Sequence, residues 1–454
     1  MKAIFRSTLL VFLIMFSYSC NNENPLLDEE VTPVNLQLPQ ISINTNGATI
    51  VDEPKIMADM VVIEDDVIDF SGTIGIEIRG SSSQMFPKKQ FGLETRDASG
   101  EGIDVSILGM PEEEDWILYA PYSDKSLIRN VLIYDLSRDL GRYASRVNFA
   151  EVIINGDYNG LYVFMEKLKR DANRIDINKL KEDENSGEDL TGGYILKIDK
   201  ADGADETLYT DVNAITSNYA PMNASLNQKI HFVYDTPDEE DITTEQRQYI
   251  TNYMKAFEDA LAADNFTNPN DGYSKYIDVD SFIDFFLLNE LSNNVDGFRL
   301  STWLTKEKNE KLKMGPIWDF NLAFGNANYC GGGETNVWAY KFNERCSNDT
   351  WLIPFWWDRL LSDPAFVSQL QNRWDELRSG VFSNQYIISK IDSYTEKLNA
   401  AGAVDANFQK WPVLSEYIWP NNYVGNTYYS EINYMKTWIN DRLSWLDTSI
   451  MNLQ

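Results

Sequence analysis

The hydrophobic pattern of this chain changes period once, near residue 240, and that change constrains the fold more than any other feature. Before it, short runs alternate apolar and polar residues, as in Ile41-Ser42-Ile43 and Gly75-Ile76-Glu77-Ile78-Arg79. Alternation with a period of two puts one face of a strand against a core. Residues 151–154 and 161–165 flank the segment 155–160, a hairpin with its turn chemistry at Asn155-Gly156, although the gap between the runs exceeds two residues. Further strands are predicted over 193–199 and 230–234, and one helix over 126–140. Beyond residue 240, Thr243 to Gln246 form a capping box, and Tyr249, Ile250, Met254, Phe257 and Leu261 follow at helical spacing. Helices are predicted over 279–292 and through Ile432, Met435, Trp438, Ile439, Leu443 and Leu446. Strands first and helices second make an α+β arrangement. Residues 41–238 form the strand-rich N-terminal part and 239–454 the helical C-terminal part.

The N-terminus reads as a targeting segment. Lys2 and Arg6 precede an apolar run over 9–16 that is too short to span a bilayer. Small residues then lead to Cys20, so residues 1–19 form a signal peptide and Cys20 is the expected site of lipidation. Tyr18 stands where such signals carry a small residue, which leaves plain secretion as the alternative. Residues 20–40 are a polar tether. The expected location is the cell envelope, at the outer membrane or cell surface, with membrane contact through the lipid anchor only. Cys330 and Cys346 bracket the Gly331-Gly332-Gly333 loop. In an oxidising compartment they form a disulfide; two reduced thiols are the other reading.

Composition narrows the chemistry. The 454 residues include 70 acidic and 39 basic side chains, one histidine and three cysteines, for a net charge of −31. That balance argues against a nucleic-acid backbone binder, which requires net positive neutralisation, although it leaves a local basic groove open. One histidine, His231, cannot build a multi-histidine zinc site; it sits on an alternating strand and reads as structural. What remains are carboxylates, lysines, hydroxyls and a hard, oxygen-ligated metal.

Three segments could carry such chemistry. Arg79-Gly80-Ser81-Ser82-Ser83 follows a strand and precedes Lys88-Lys89, a loop that either cradles phosphate oxygens or is an ordinary hairpin. Glu166-Lys167-Leu168-Lys169-Arg170 clusters positive charge, either as a solvated strand end or as phosphate-facing cations. Asn289, Asn293 and Asp296 share one face if the helix persists that far. With Trp318-Asp319-Phe320-Asn321 they offer the oxygen ligands that Mg²⁺ or Ca²⁺ prefers, although capping and turn formation explain each singly.

At these residues the sequence resembles the CotH-type (spore coat protein H) atypical kinases, over about 70–447. The segments occur in family order: IRGSSSQMFPKKQFGLE, LGMPEEEDWILYAPYSDKSLIRNVL, VIINGDYNGLYVFMEKLKRDANRIDI, DLTGGYILKID and GPIWDFNLAFGN. The variants NNVDGFRLSTW and WDFNLAFGN resemble a lipoprotein-bearing branch common in Bacteroidota. The resemblance implies a two-lobed, kinase-like fold that binds ATP with Mg²⁺, or with Mn²⁺ or Ca²⁺, and phosphorylates protein Ser/Thr. Carried onto this chain, Arg79, Ser81, Ser82 and Ser83 lie over the phosphates. Lys88 or Lys89, and Lys167 with Glu166, supply cationic contacts. Asp296 orients or deprotonates the acceptor hydroxyl, and Asp319 holds the metal with Asn321. Two departures stand out. Ser301 occupies the position five residues after Asp296 where conventional kinases carry Asn, and Asn321 replaces the glycine of a DFG triplet. They keep a second reading open, a catalytically inactive kinase-fold surface lipoprotein that binds a glycan, protein or cation. The aromatic residues Trp411, Tyr417, Trp419, Tyr423, Tyr428 and Tyr429 are either its platform or ordinary packing.

Overall fold

A computed structural model describes residues 37–201 and 208–454 of the chain. The expected signal peptide, Cys20 and most of the expected tether lie outside the described residues. The fold is mixed α+β, with strands dominating the first part and helices the second.

Seven strands close a barrel: β1 (Gln40–Asn44), β2 (Ile56–Glu64), β3 (Val67–Arg79), β4 (Gln90–Arg96), β5 (Asp115–Tyr119), β6 (Val147–Ile154) and β7 (Asp157–Glu166). Their order is β1-β2-β3-β4-β5-β7-β6, and β1 closes the ring by pairing parallel to β6. Closure removes the exposed edges that an open sheet would leave. Alternating residues such as Ile41, Met60, Ile74, Leu93, Trp116 and Phe164 fill the interior. The β6–β7 hairpin is tighter than its spacing suggests. Ile154 pairs with Asp157, leaving Asn155 and Gly156 as a two-residue turn, both at positive φ. Asp157–Gly160 therefore belong to β7, and a register shift at Val152/Ile153 absorbs the difference.

Strand β7 is buried on both faces. Tyr162 and Phe164 point into the barrel, while Leu161, Val163 and Met165 join the larger core outside it. That explains its unbroken apolar run, which a half-exposed strand would not tolerate. The same outer core takes in α1 (Arg129–Asp139), which lies between β5 and β6 in sequence.

A second sheet contains β8 (Tyr194–Ile198), β9 (Ala214–Thr216), β10 (His231–Thr236), β11 (Thr302–Lys306) and β12 (Leu312–Met314), in the order β12-β11-β8-β10-β9. It takes strands from both sides of the 238/239 boundary, because β11 pairs with β8. The helices that follow are α2 (Thr244–Ala262), α3 (Val279–Ser292), α4 (Phe342–Arg345), α5 (Trp356–Leu360), α6 (Pro364–Arg378), α7 (Asn384–Ala400), α8 (Ala403–Lys410) and α9 (Tyr428–Met451). The Thr243–Gln246 capping box opens α2. Helix α3 stops at Ser292 because Asn293 turns left-handed and caps it. Asn289, Asn293 and Asp296 therefore do not share a helical face. Asn293 instead ties the loop beyond α3 to the carbonyls of Gly331 and Glu334, at 2.9 and 3.0 Å.

Candidate active site

The loop after β12 carries Trp318-Asp319-Phe320-Asn321, and α1 fixes it in place. The Phe320 N–H donates to Asn130 Oδ1 at 2.7 Å, and the Asp319 N–H to the Tyr134 hydroxyl at 3.2 Å. Residues 130 and 134 stand one turn apart on the same helix face. Tyr134 also stacks on Trp318, with centroids 6.1 Å apart. Farther along the loop, Arg129 Nε donates to the Ala323 carbonyl at 3.0 Å, while its guanidinium pairs with the buried Asp124 at 2.5 Å. Held this way, Asp319 adopts φ +61°, a backbone region that non-glycine residues seldom occupy and that recurs at functional sites.

Three carboxylates converge electrostatically here. Burial pushes the Asp319 carboxyl up to about 7, and Asp296 and Asp199 push in the same direction, while Arg79 at the end of β3 opposes them. Arg79 also lies over the Trp318 ring at 5.8 Å. Asp199, just past β8, is itself raised by burial, against the charges of Lys197 and Lys200 and the N–H groups of Lys200 and Ser301. Asp296 is held by Arg299 Nη2 at 2.8 Å.

The serine loop reaches the same region. Lys200 Nζ, adjacent to Asp199, donates to Ser81 Oγ at 2.9 Å, and Ser82 and Ser83 open a short 3₁₀ turn. Gly80 enters that turn at φ +105°, where an added Cβ would meet Ser83 Oγ at 2.1 Å, so the loop needs glycine there.

The expected lysines and the Glu166–Lys167 pair have protein partners of their own. Lys88 is 2 % exposed, and its Nζ donates to the Leu161 carbonyl at 2.5 Å and to Asn407 Oδ1 at 2.8 Å, which ties β7 to α8. Lys89 caps the Gln84 carbonyl. Glu166 is buried beneath Arg146, at 2.6 Å, and the Tyr143 hydroxyl, at 3.1 Å. Lys167 points outward, 3.6 Å from Asp115. The positive cluster around it is neutralised by the 113–115 segment, with Lys169 2.6 Å from Glu113 and 2.9 Å from Asp115. His231 stacks on Tyr209 at 3.9 Å, and burial, then Lys229, lowers its pKa to about 4. Cys330 and Cys346 are joined as a disulfide.

Asp199, Lys200, Arg299 and the α1 residues Arg129 and Asn130 were not singled out by the sequence. Their signal lay in the ordered motifs, since DLTGGYILKID ends at Asp199 and SLIRNVL contains Arg129 and Asn130.

The carboxylates of the described residues fall into two groups. The one trio of described carboxylates with oxygens within 4.8 Å of one another, Glu113, Glu114 and Asp115, already has Lys169 among it. Asp319, Asp296 and Asp199 form a wider set, in which burial first, and then the charges of Asp296 and Asp199, raise Asp319. Carboxylate oxygens are the donor type that Mg²⁺ takes, which binds through one or two carboxylates and completes its shell with phosphate oxygens and water. Among the described residues, no helix is long and apolar enough to cross a membrane. No curated protein matches the sequence. A family model described as CotH kinase protein matches residues 76–446, most of the chain, and the chain belongs to the CotH kinase family.

Proposed function

We propose that this protein is an exported, lipid-anchored atypical kinase that transfers the γ-phosphoryl group of ATP to Ser/Thr hydroxyls of a protein. The observation that carries the reading is the gathering of Asp319, Asp296 and Asp199 against Arg79 beside the serine loop. In this reading the barrel and the helical part are the two lobes of a kinase-like fold, with Arg79 and Ser81–Ser83 facing the nucleotide phosphates. Phosphoryl transfer needs positioning and charge neutralisation, with no histidine or nucleophilic cysteine. Asp296 accepts the proton of the acceptor hydroxyl as its oxygen bonds to the γ-phosphorus. The bond to the β–γ bridging oxygen breaks, and ADP leaves with that electron pair. Asp319, with Asn321, would hold Mg²⁺, which supplies neutralisation of the phosphoryl oxygens. Arg79 keeps Asp319 closer to its ionised state.

The test is transfer from labelled ATP, with Mg²⁺ or Mn²⁺, to candidate secreted proteins by the purified mature chain. Wild type should bind nucleotide and transfer phosphate, and Asp319→Ala and Asp296→Ala should not. If wild type behaves like both variants, the kinase reading fails and an inactive surface binder takes its place.

A further inference from the structure

Asp296 is gripped on one side only. Arg299 Nη2 donates to its Oδ1 at 2.8 Å, and the Tyr329 hydroxyl lies 3.5 Å from the same oxygen. No hydrogen bond reaches Oδ2 from the described residues. Arg299 has little freedom to do anything else. It is 3 % exposed, its Nε donates to the Val295 carbonyl at 2.7 Å, and its guanidinium lies 4.1 Å over the Phe342 ring. Its other terminal nitrogen, Nη1, contacts Asp349 Oδ1 at 3.2 Å and the Trp351 carbonyl at 3.1 Å. Both anchors flank one covalent link. Tyr329 immediately precedes Cys330, and the Asp349 N–H donates to the carbonyl of Cys346, at 3.0 Å. Tyr329 is steadied from its other side by Trp419, in a parallel stack with centroids 6.4 Å apart. Burial, then the charge of Asp296, keeps the Tyr329 hydroxyl protonated and so a donor.

We propose that Arg299 and Tyr329 are positioning residues that occupy Asp296 Oδ1 and leave Oδ2 directed to the acceptor hydroxyl, with the Cys330–Cys346 disulfide fixing the segments on which both depend. The proposal rests on the kinase reading. It assigns the proton of the acceptor to Oδ2 in the transfer step. A planar guanidinium with fixed anchors holds Oδ1 in place, which an ammonium on a flexible stem does less well.

The experiment compares wild type with Arg299→Lys, Arg299→Ala, Tyr329→Phe and Asp296→Ala in steady-state transfer and in calorimetric Mg-ATP binding. Arg299→Ala should lower kcat on the order of 10²-fold, the scale of an ångström-level misplacement. Arg299→Lys should recover part of that loss, and Tyr329→Phe should lower kcat several-fold. Mg-ATP affinity and KM for ATP should stay at the wild-type values, a split that general destabilisation would not give. If Asp296→Ala is inactive while Tyr329→Phe and Arg299→Lys both retain wild-type kcat, the positioning role is wrong and the kinase reading stands. Equal loss of kcat and ATP affinity in these two variants also refutes it, because the residues would then only maintain the fold. Wild type with no transfer overturns both.

Discussion

Asn130 Oδ1 accepts the Phe320 N–H at 2.7 Å, so the first turn of α1 and the loop carrying Asp319 are one hydrogen-bonded unit. The neighbouring Arg129 extends the unit to Ala323 and, through Asp124, into the turn that precedes the helix. Asn130→Ala leaves a buried N–H without a partner and should cost about 1–3 kcal/mol in urea unfolding. Arg129→Ala strands the buried Asp124 carboxylate and should cost about 3 kcal/mol or more. Both should also weaken nucleotide binding by the folded fraction. An Arg129→Ala protein that unfolds with the wild-type midpoint would show that the pair does not hold the loop.

Lys88 has a different job from the one its place in the motif suggests. Its ammonium is fully engaged between β7 and α8 and lies 4.9 Å over the Tyr162 ring. Lys88→Met should therefore destabilise the protein by about 1–3 kcal/mol. The folded variant should bind Mg-ATP as wild type does. Loss of nucleotide binding with unchanged stability would reverse this assignment.

These two cases show what is legible in a sequence of this kind. Periodicity and caps are local, so the bounds of α3 and the box opening α2 were readable. Loop closure is less local: the β6–β7 hairpin looked long because Asp157–Gly160 are polar, yet they pair with β6. Asp363 before Pro364, and Ser383, are start signals of α6 and α7 that were present and not used. Asp319, Asp296 and Arg79 were readable from motifs. Asp199 and Arg299 lay within the motifs without being singled out, and the partners of Lys88 were not readable, because they depend on which segments burial brings together through space.

Glu258 on α2 gives a stability effect separate from the site. It is buried, accepting from Ser217 Oγ at 2.7 Å and Trp356 Nε1 at 2.9 Å. Burial pushes its carboxyl up to about 7 from the ordinary 4.5; these two donors oppose that shift and Asp259 adds to it. With the folded value above the unfolded one, the native state holds a proton that the unfolded state has released. Stability from this group is therefore present at low pH and is lost as pH rises from about 4.5 to about 7. Glu258→Gln keeps a neutral side chain at all pH. It should exceed wild-type stability by up to about 3 kcal/mol at pH 8 and lose that advantage below pH ~5. Parallel wild-type and variant curves across this range would refute the assignment.

The disulfide makes a prediction independent of catalysis. Cys330 and Cys346 are 16 residues apart, and closing a loop of that size stabilises by about 3 kcal/mol in the chain-entropy account. Cys330→Ser with Cys346→Ser, or wild type under reductant, should melt earlier, and reductant should have no further effect on the double variant. A wild-type melting curve indifferent to reductant would count against a closed bridge.

Under the proposed function, Arg79 is the cation to test. It is the group that opposes the rise of the Asp319 carboxyl, whereas Lys167 is half exposed and faces Asp115. Arg79→Ala removes a charge from the phosphate side and lets Asp319 climb above about 7. A metal-binding carboxylate must be ionised, so proton and Mg²⁺ compete for it. The variant should bind Mg-ATP at least about tenfold more weakly near pH 7, equivalent to about 1.4 kcal/mol. Part of that loss should return as pH is raised to about 8.5, when Asp319 is deprotonated again. Lys167→Ala should match wild type at every pH. Calorimetric titrations of the three proteins at pH 6.5, 7.5 and 8.5 separate the outcomes. A deficit in Arg79→Ala that is constant with pH would mean that Arg79 acts on phosphate alone. Equal deficits in Arg79→Ala and Lys167→Ala would move the nucleotide site away from Asp319.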